Sequence, residues 1–166
     1  AIDSGISAAL VGAAAVVIFI GFYYGVSGLI ADLMLCFTML IVMAGMGAFG
    51  ATLTLPGIAG IVLTIGMAVD ANVLIYERIR EELRLGLTPL AAVRAGFDRA
   101  MVSITDANLT SIIVTVILYQ FGTGPIRGFA VTLGLGIVAS MFTAIFVSRA
   151  IFEEWARHCG PKGLSI

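Results

Sequence analysis

Long apolar runs separated by short polar joins dominate this chain. Five runs are long enough to cross a bilayer: about Ser7 to Tyr24, Ile30 to Phe49, Gly57 to Tyr76, Ser103 to Phe121 and Arg127 to Ser148. Each approaches the roughly 20 apolar residues that a helix needs to span a hydrocarbon core. The joins GFYYGVSG, GATLTLPG and GTGPIRG carry the glycine and proline of tight turns. A membrane barrel would show alternating segments of about ten residues, and none is seen. In lipid the backbone must satisfy its own hydrogen bonds, so the pattern predicts helices. The expected fold is an all-α, polytopic membrane helix bundle, one transmembrane domain over 1–166 with five spans.

Composition agrees. Hydrophobic residues make up 60% of the 166 residues and charged ones only 11%, against about a quarter charged in an ordinary soluble domain. Mean hydropathy is +1.12. No basic stripe with interleaved aromatics offers itself to nucleic acid. Cys36 and Cys159 lie far apart, one in an apolar run and one in a polar tail, and suggest neither a disulfide framework nor a metal cluster. His158 beside Cys159 reads as a solvated pair. The chain opens AIDSGIS, with no Met and no cleavable signal, so a longer parent protein is expected.

Positive charge sets a direction. Arg78, Arg80, Arg84, Arg94 and Arg99 fall between the third and fourth spans, and Arg149, Arg157 and Lys162 follow the fifth. Five spans put all of these on one side and leave Arg127 alone on the other. The positive-inside rule then places the N-terminus outside and the C-terminus in the cytoplasm. Between the third and fourth spans, Thr88 suits an N-cap and Pro89 a first helical position, and Leu90, Val93, Phe97 and Met101 recur at helical spacing. That predicts a short helix over about 89–101 lying on the cytoplasmic surface, distinct from the fourth span.

Chemistry concentrates at Asp70. It stands fourteen residues after Pro56 in TLPGIAGIVLTIGMAVDANVLIY, roughly 21 Å along the helix and past mid-bilayer. An ionised group there costs about 2.5 to 3.5 kcal/mol on insertion scales and needs a partner, a proton or water. At about 100° per residue, Ala59, Gly66, Asp70 and Glu77 share one sector, and Gly66 leaves room beside the carboxylate. A second stripe of Gly57, Gly60, Thr64, Ala68 and Ala71 suits close helix packing, and Asn72 points nearly opposite Asp70. Two readings stand for Asp70: a proton-relay acid, or a structural acid kept neutral by burial or bonded to Asn108 or a neighbouring threonine.

On the fourth span, Ser103, Asp106, Thr110 and Gln120 share a side while Asn108 and Thr115 share the other. Asp106 reads first as an interfacial acid complementing the helix dipole and second as a further relay group. Thr132, Gly136, Ser140 and Thr143 form a close-packing face on the fifth span. No nucleophile is paired with a base, and GTGPIRG lacks the lysine and hydroxyl of a phosphate loop. No covalent catalysis, cofactor or metal is expected.

The segments LPGIAGIVLTIGMAVDANVLIYERIREEL, DANLTSIIV, GTGPIRGFAVTLGLGI, SMFTAIFVSRAI and the terminal GLSI together resemble the membrane domain of the SecD family of protein-export subunits. VDANVLI-x-ERI is the most specific of them, and Asp-Ala-Asn stands where the related SecF family typically has paired acids. The resemblance implies a bacterial inner-membrane protein of the resistance-nodulation-division superfamily. It implies spans two to six of six, with the first span and a large periplasmic domain upstream. It further implies a SecF-like partner, the SecYEG channel, and an exported unfolded polypeptide handled by the upstream domain. Asp70 falls on the family's acid implicated in proton conduction, and Asp106 also lies in a family motif. The implied activity is coupling of the proton gradient to polypeptide export. Two other readings are a proton-driven exporter of small molecules or lipids, and a passive membrane scaffold.

Overall fold

The computed structural model describes residues 2–50, 54–158 and 164. Cys159, Lys162 and the terminal GLSI apart from Leu164 lie outside the described residues. Every described element is helical: α1 (Ile2–Tyr24), α2 (Val26–Ala48), α3 (Leu55–Arg84), α4 (Pro89–Phe121), α5 (Pro125–Phe142), a π-helical segment (Thr143–Ser148) and α6 (Arg149–His158). Five helices are long and apolar enough to cross a membrane, the last running from Pro125 through the π segment to His158. The protein is therefore a multi-pass helical membrane protein. Large apolar side chains such as Phe22, 94% exposed, point outward, as a lipid-facing surface requires.

Local chemistry explains the helix ends. α1 and α2 form a tight hairpin through Gly25, whose φ of 56° disfavours a side chain. Gly28 packs so closely on the Ile20 carbonyl that a Cβ has no room. α3 starts at Thr54, whose Oγ1 accepts the Gly57 N–H at 3.1 Å, satisfying an orphan donor of the first turn. It stops at Gly86 (φ 88°), where Gly86 N–H donates to Leu83 O at 3.1 Å and Leu87 N–H to Glu82 O at 3.3 Å. Those two bonds are the paired closure of a Schellman motif.

The loop after α3 corrects one expectation. Residues 89–101 are not a separate surface helix; they are the opening turns of α4, continuous to Phe121. No glycine or proline interrupts the stretch from Phe97 to Ser103, and the buried stripe stays in phase across it. Val93, Phe97, Ala100, Ile104, Asn108 and Thr115 all face inward on the same helix. A helix of 33 residues extends about 50 Å, so it exceeds the roughly 30 Å apolar slab and projects beside the end of α3. Gly96 allows this: a Cβ there would sit 2.6 Å from Ile79 Cγ1 and 2.8 Å from Ile79 N.

α3 is the central helix, packed most extensively on α5 and then on α4. At the arginine-rich end the core is aromatic: Tyr24 and Tyr76 rings lie 5.6 Å apart, Tyr76 and Phe152 5.1 Å, and Phe97 and Phe152 6.2 Å. These separations suit edge and tilted ring contacts. α6 joins that core through Phe152 and Ala156.

Candidate functional site

The small-residue stripe of α3 faces α5. Gly57, Gly60, Thr64 and Ala68 are buried, and a Cβ on Gly60 would collide with Thr132 Oγ1 while one on Gly136 would collide with Thr64 Oγ1. The hydroxyls of this seam bond back to their own helices: Thr64 donates to Gly60 O at 2.9 Å and Ser140 to Ile137 O at 3.0 Å. That removes polar atoms from a contact that works by backbone proximity. Thr143, at the start of the π segment, shares a hydrogen bond of 2.7 Å with Thr38 of α2. π turns of this kind often accompany functional sites.

Asp70 lies on a different side. The sector of Ala59, Gly66, Asp70 and Glu77 is exposed along its length, and a Cβ on Gly66 would meet nothing within 4 Å. Two clefts flank the carboxylate. One, about 400 Å³, lies toward α1 and is lined by Val16, Phe19, Ile20, Gly66 and Val73. The other, about 360 Å³, lies toward α4 and carries Ser103, Asn108 and Ser111. Asp70 makes no hydrogen bond or ion pair among the described residues, so the bond to Asn108 or a threonine considered from the sequence does not form. Asn108 Nδ2 instead donates to Ile104 O at 2.8 Å, and its buried Oδ1 has no partner.

Asp106 is exposed, and it does not line the cleft that holds Asp70. Its backbone carbonyl accepts from Thr110 Oγ1 at 3.2 Å. Asn72 is buried, 3% exposed, with Oδ1 unpartnered. The structure thus separates the seven supporting residues. Gly57, Gly60, Gly136 and Ser140 belong to the α3–α5 seam, Gly66 and Asn108 to the Asp70 clefts, and Asn72 to the interior.

One further acid, Asp32, lies half-buried in α2, outside the sectors that spacing along α3 and α4 defines. Its signal was available: it is the one charged residue in the run from Ile30 to Phe49. A second feature needed the fold. Tyr24 Oη donates to Glu77 Oε1 at 3.1 Å, Arg80 Nη1 binds the same oxygen at 2.8 Å, and the Arg80 guanidinium lies 5.5 Å from the Tyr24 ring centre. Nearby, Glu82, 3% exposed in its side chain, pairs with Arg99 at 2.6 Å and ties α3 to α4. Among the described residues no cluster of three histidine, cysteine or acidic side chains is arranged for a metal.

This geometry defines a polytopic membrane domain with a carboxylate held, unpaired, in an open face of its central helix. Comparison with known proteins names the family. The family described as protein export membrane protein SecD/SecF, C-terminal, matches residues 1–158, and the chain belongs to it. The protein translocase subunit SecD of Syntrophobacter fumaroxidans is 63% identical over 165 residues, covering 99% of this chain and 31% of that protein. The same subunit of Calditerrivibrio nitroreducens is 57% identical over 165 residues, covering 99% of this chain and 32% of its own length. The crystal structure of SecDF from Thermus thermophilus, described as a translocon-associated membrane protein, superposes with a TM-score of 0.90 at 47% identity, covering 95% of this chain and 22% of that one. A SecDF structure in a super-membrane-facing form gives 0.89 at 46% identity, covering 94% and 21%. The chain spans about a third of the length of the curated relatives it matches.

Proposed function

We propose that this chain is the membrane domain of an accessory subunit of the Sec protein translocase, and that it couples the proton gradient to polypeptide export. The observation that carries the reading is Asp70: an unpartnered carboxylate in an apolar helix, between two clefts, on an exposed face. Intramembrane acids that lack an internal partner mark ion or proton pathways. Gain of a proton removes the charge and relieves the cost of lipid contact, so protonation biases one helix arrangement against another. The membrane potential contributes about 2.3 kcal/mol per charge per 100 mV, enough to drive such a shift when several protons act together.

In this reading a SecF-like subunit covers the open face of α1, α3 and α4 and supplies the partner that Asp70 lacks here. The SecYEG channel is the assembly it serves, and an upstream span and external domain, moved by the helices, handle the unfolded polypeptide. The clustering of arginines supports a topology with the C-terminus in the cytoplasm, in the bacterial inner membrane. The role is transport, without covalent catalysis. Asp106 acts at the interface, with a lesser part in proton movement.

The deciding experiment replaces Asp70 with Asn in the full-length subunit. Gradient-dependent export by membrane vesicles should stop, while expression and co-purification with the partner subunit stay as in the parent. Undiminished export would overturn the proposal.

A further inference from the structure

A second acid lies half-buried against α1. Asp32 Oδ2 lies 3.4 Å from where a Cβ of Gly21 would stand, so the carboxylate abuts α1 at the turn that carries Ile20 and Tyr24. Ala31, its chain neighbour, belongs to the same buried cluster as Ile20, Tyr24, Ile75 and Tyr76. Tyr76 belongs to that cluster as well, and its ring packs 5.6 Å from that of Tyr24.

Among the described residues, two polar atoms there have no partner. Tyr76 is fully buried and its Oη makes no hydrogen bond; Asn72, one turn earlier on α3, is 3% exposed with Oδ1 unpartnered. Buried polar groups are almost always satisfied, by protein or by ordered water. The unbonded phenol and amide oxygen, one turn apart on α3, therefore call for internal water. From Tyr24 the polar chain continues outward to Glu77 and Arg80. Ile20 stands on the opposite flank: it lines the Asp70 cleft, and its neighbour Gly21 meets Asp32.

We propose that Asp32 is a second proton-carrying carboxylate, joined by water held at Tyr76 and Asn72 to Tyr24 and Glu77 at the arginine-rich end, with Ile20 separating it from Asp70. The proposal rests on the proton-coupled reading of Asp70 and supplies a route between that residue and the arginine-rich side. A proton from water binds the Asp32 carboxylate, giving a neutral carboxyl; the carboxyl then releases it to water on the other side and regains its charge. Tyr76 orders that water through its hydroxyl and is a positioning residue. On α1 and α3, which pack against α2, the titratable groups of this cluster are Tyr24 and Tyr76, with the Glu77–Arg80 pair beyond them. From Pro125 to Ser148 the fifth span offers only Arg127, at the opposite end.

The test uses the full-length subunit with its partner in inverted membrane vesicles, reading proton flux through a pH-sensitive dye and export of a secretory substrate. Asp32→Asn should lose gradient-dependent flux to the level of Asp70→Asn, with the partner still co-purifying. Asp32→Glu should restore most of it with a displaced pH profile, and Tyr76→Phe should lower flux while leaving export at saturating gradient less affected. If Asp70→Asn abolishes flux but Asp32→Asn and Tyr76→Phe leave it unchanged, the Asp32 route is wrong and the Asp70 reading survives. If Asp70→Asn also leaves flux unchanged, the proton-coupled reading itself fails. Should Asp32→Asn reduce assembly, flux per assembled complex in Asp32→Glu and Tyr76→Phe decides: an unaltered pH profile in both overturns the inference.

Discussion

The two sides of α3 are built on opposite principles. Toward α5, glycine and threonine interlock until no further atom fits: Gly60 against Thr132, and Gly136 against Thr64. Toward α1 and α4, Gly66 faces open space and Asp70 stands between clefts without a polar partner among the described residues. Glycine therefore does two jobs on one helix, close approach on one side and vacancy on the other. A rigid seam and an open acid-bearing face are what a helix needs if it is to hold its place in a bundle while responding to charge.

The contrast can be broken most severely at the seam. Gly136→Val places atoms on Thr64 and should destabilise the detergent-solubilised domain by about 3 kcal/mol, since forced overpacking costs 1–3 kcal/mol and sometimes more. Thermal unfolding followed by helical circular dichroism reads this directly. Next comes Glu82→Gln, which strands Arg99. Breaking a fully buried pair costs more, but Arg99 is 56% exposed, so water screens it and the loss should be about 1–2 kcal/mol. The same melting experiment, with Arg99→Gln and the double variant, gives the coupling between the two. Thr143→Val removes the bond to Thr38 and should cost about 1 kcal/mol, with much of that recovered in the Thr38→Val, Thr143→Val double variant. The smallest effect sharpens the comparison. Gly66→Ala adds a methyl where nothing stands within 4 Å, so stability should be unchanged or raised by up to about 1 kcal/mol through helix propensity. A large loss there would mean that the face is packed and not open. Gly66→Leu in the full complex should leave the isolated domain's melting intact and weaken partner co-purification.

Much of the bundle was legible before any coordinates. The spans follow from hydropathy, the helix start at Thr88 and Pro89 follows from helix-end chemistry, and the stripe of Gly57, Gly60, Thr64 and Ala68 follows from spacing. Asp70 announced itself as a charge in an apolar run. Asp32 carried a similar signal from a less central position. The extent of α4 is not legible in the sequence, because polar residues around Arg94 and Arg99 suggest a boundary, whereas packing of Val93, Phe97 and Ala100 on α3 and α6 continues through it.

What the sequence determined by itself is the set of elements and the location of costly groups, because transfer into lipid and helix capping are local energies summed over neighbouring residues. Which helix each face meets was decided only in three dimensions. The stripe of α3 does not specify α5, and nothing local turns Asp70 toward an unfilled cleft or brings Tyr76 onto Tyr24. Those relations depend on how several helices share a limited number of close-packed contacts, a property of the assembled bundle and of no single segment.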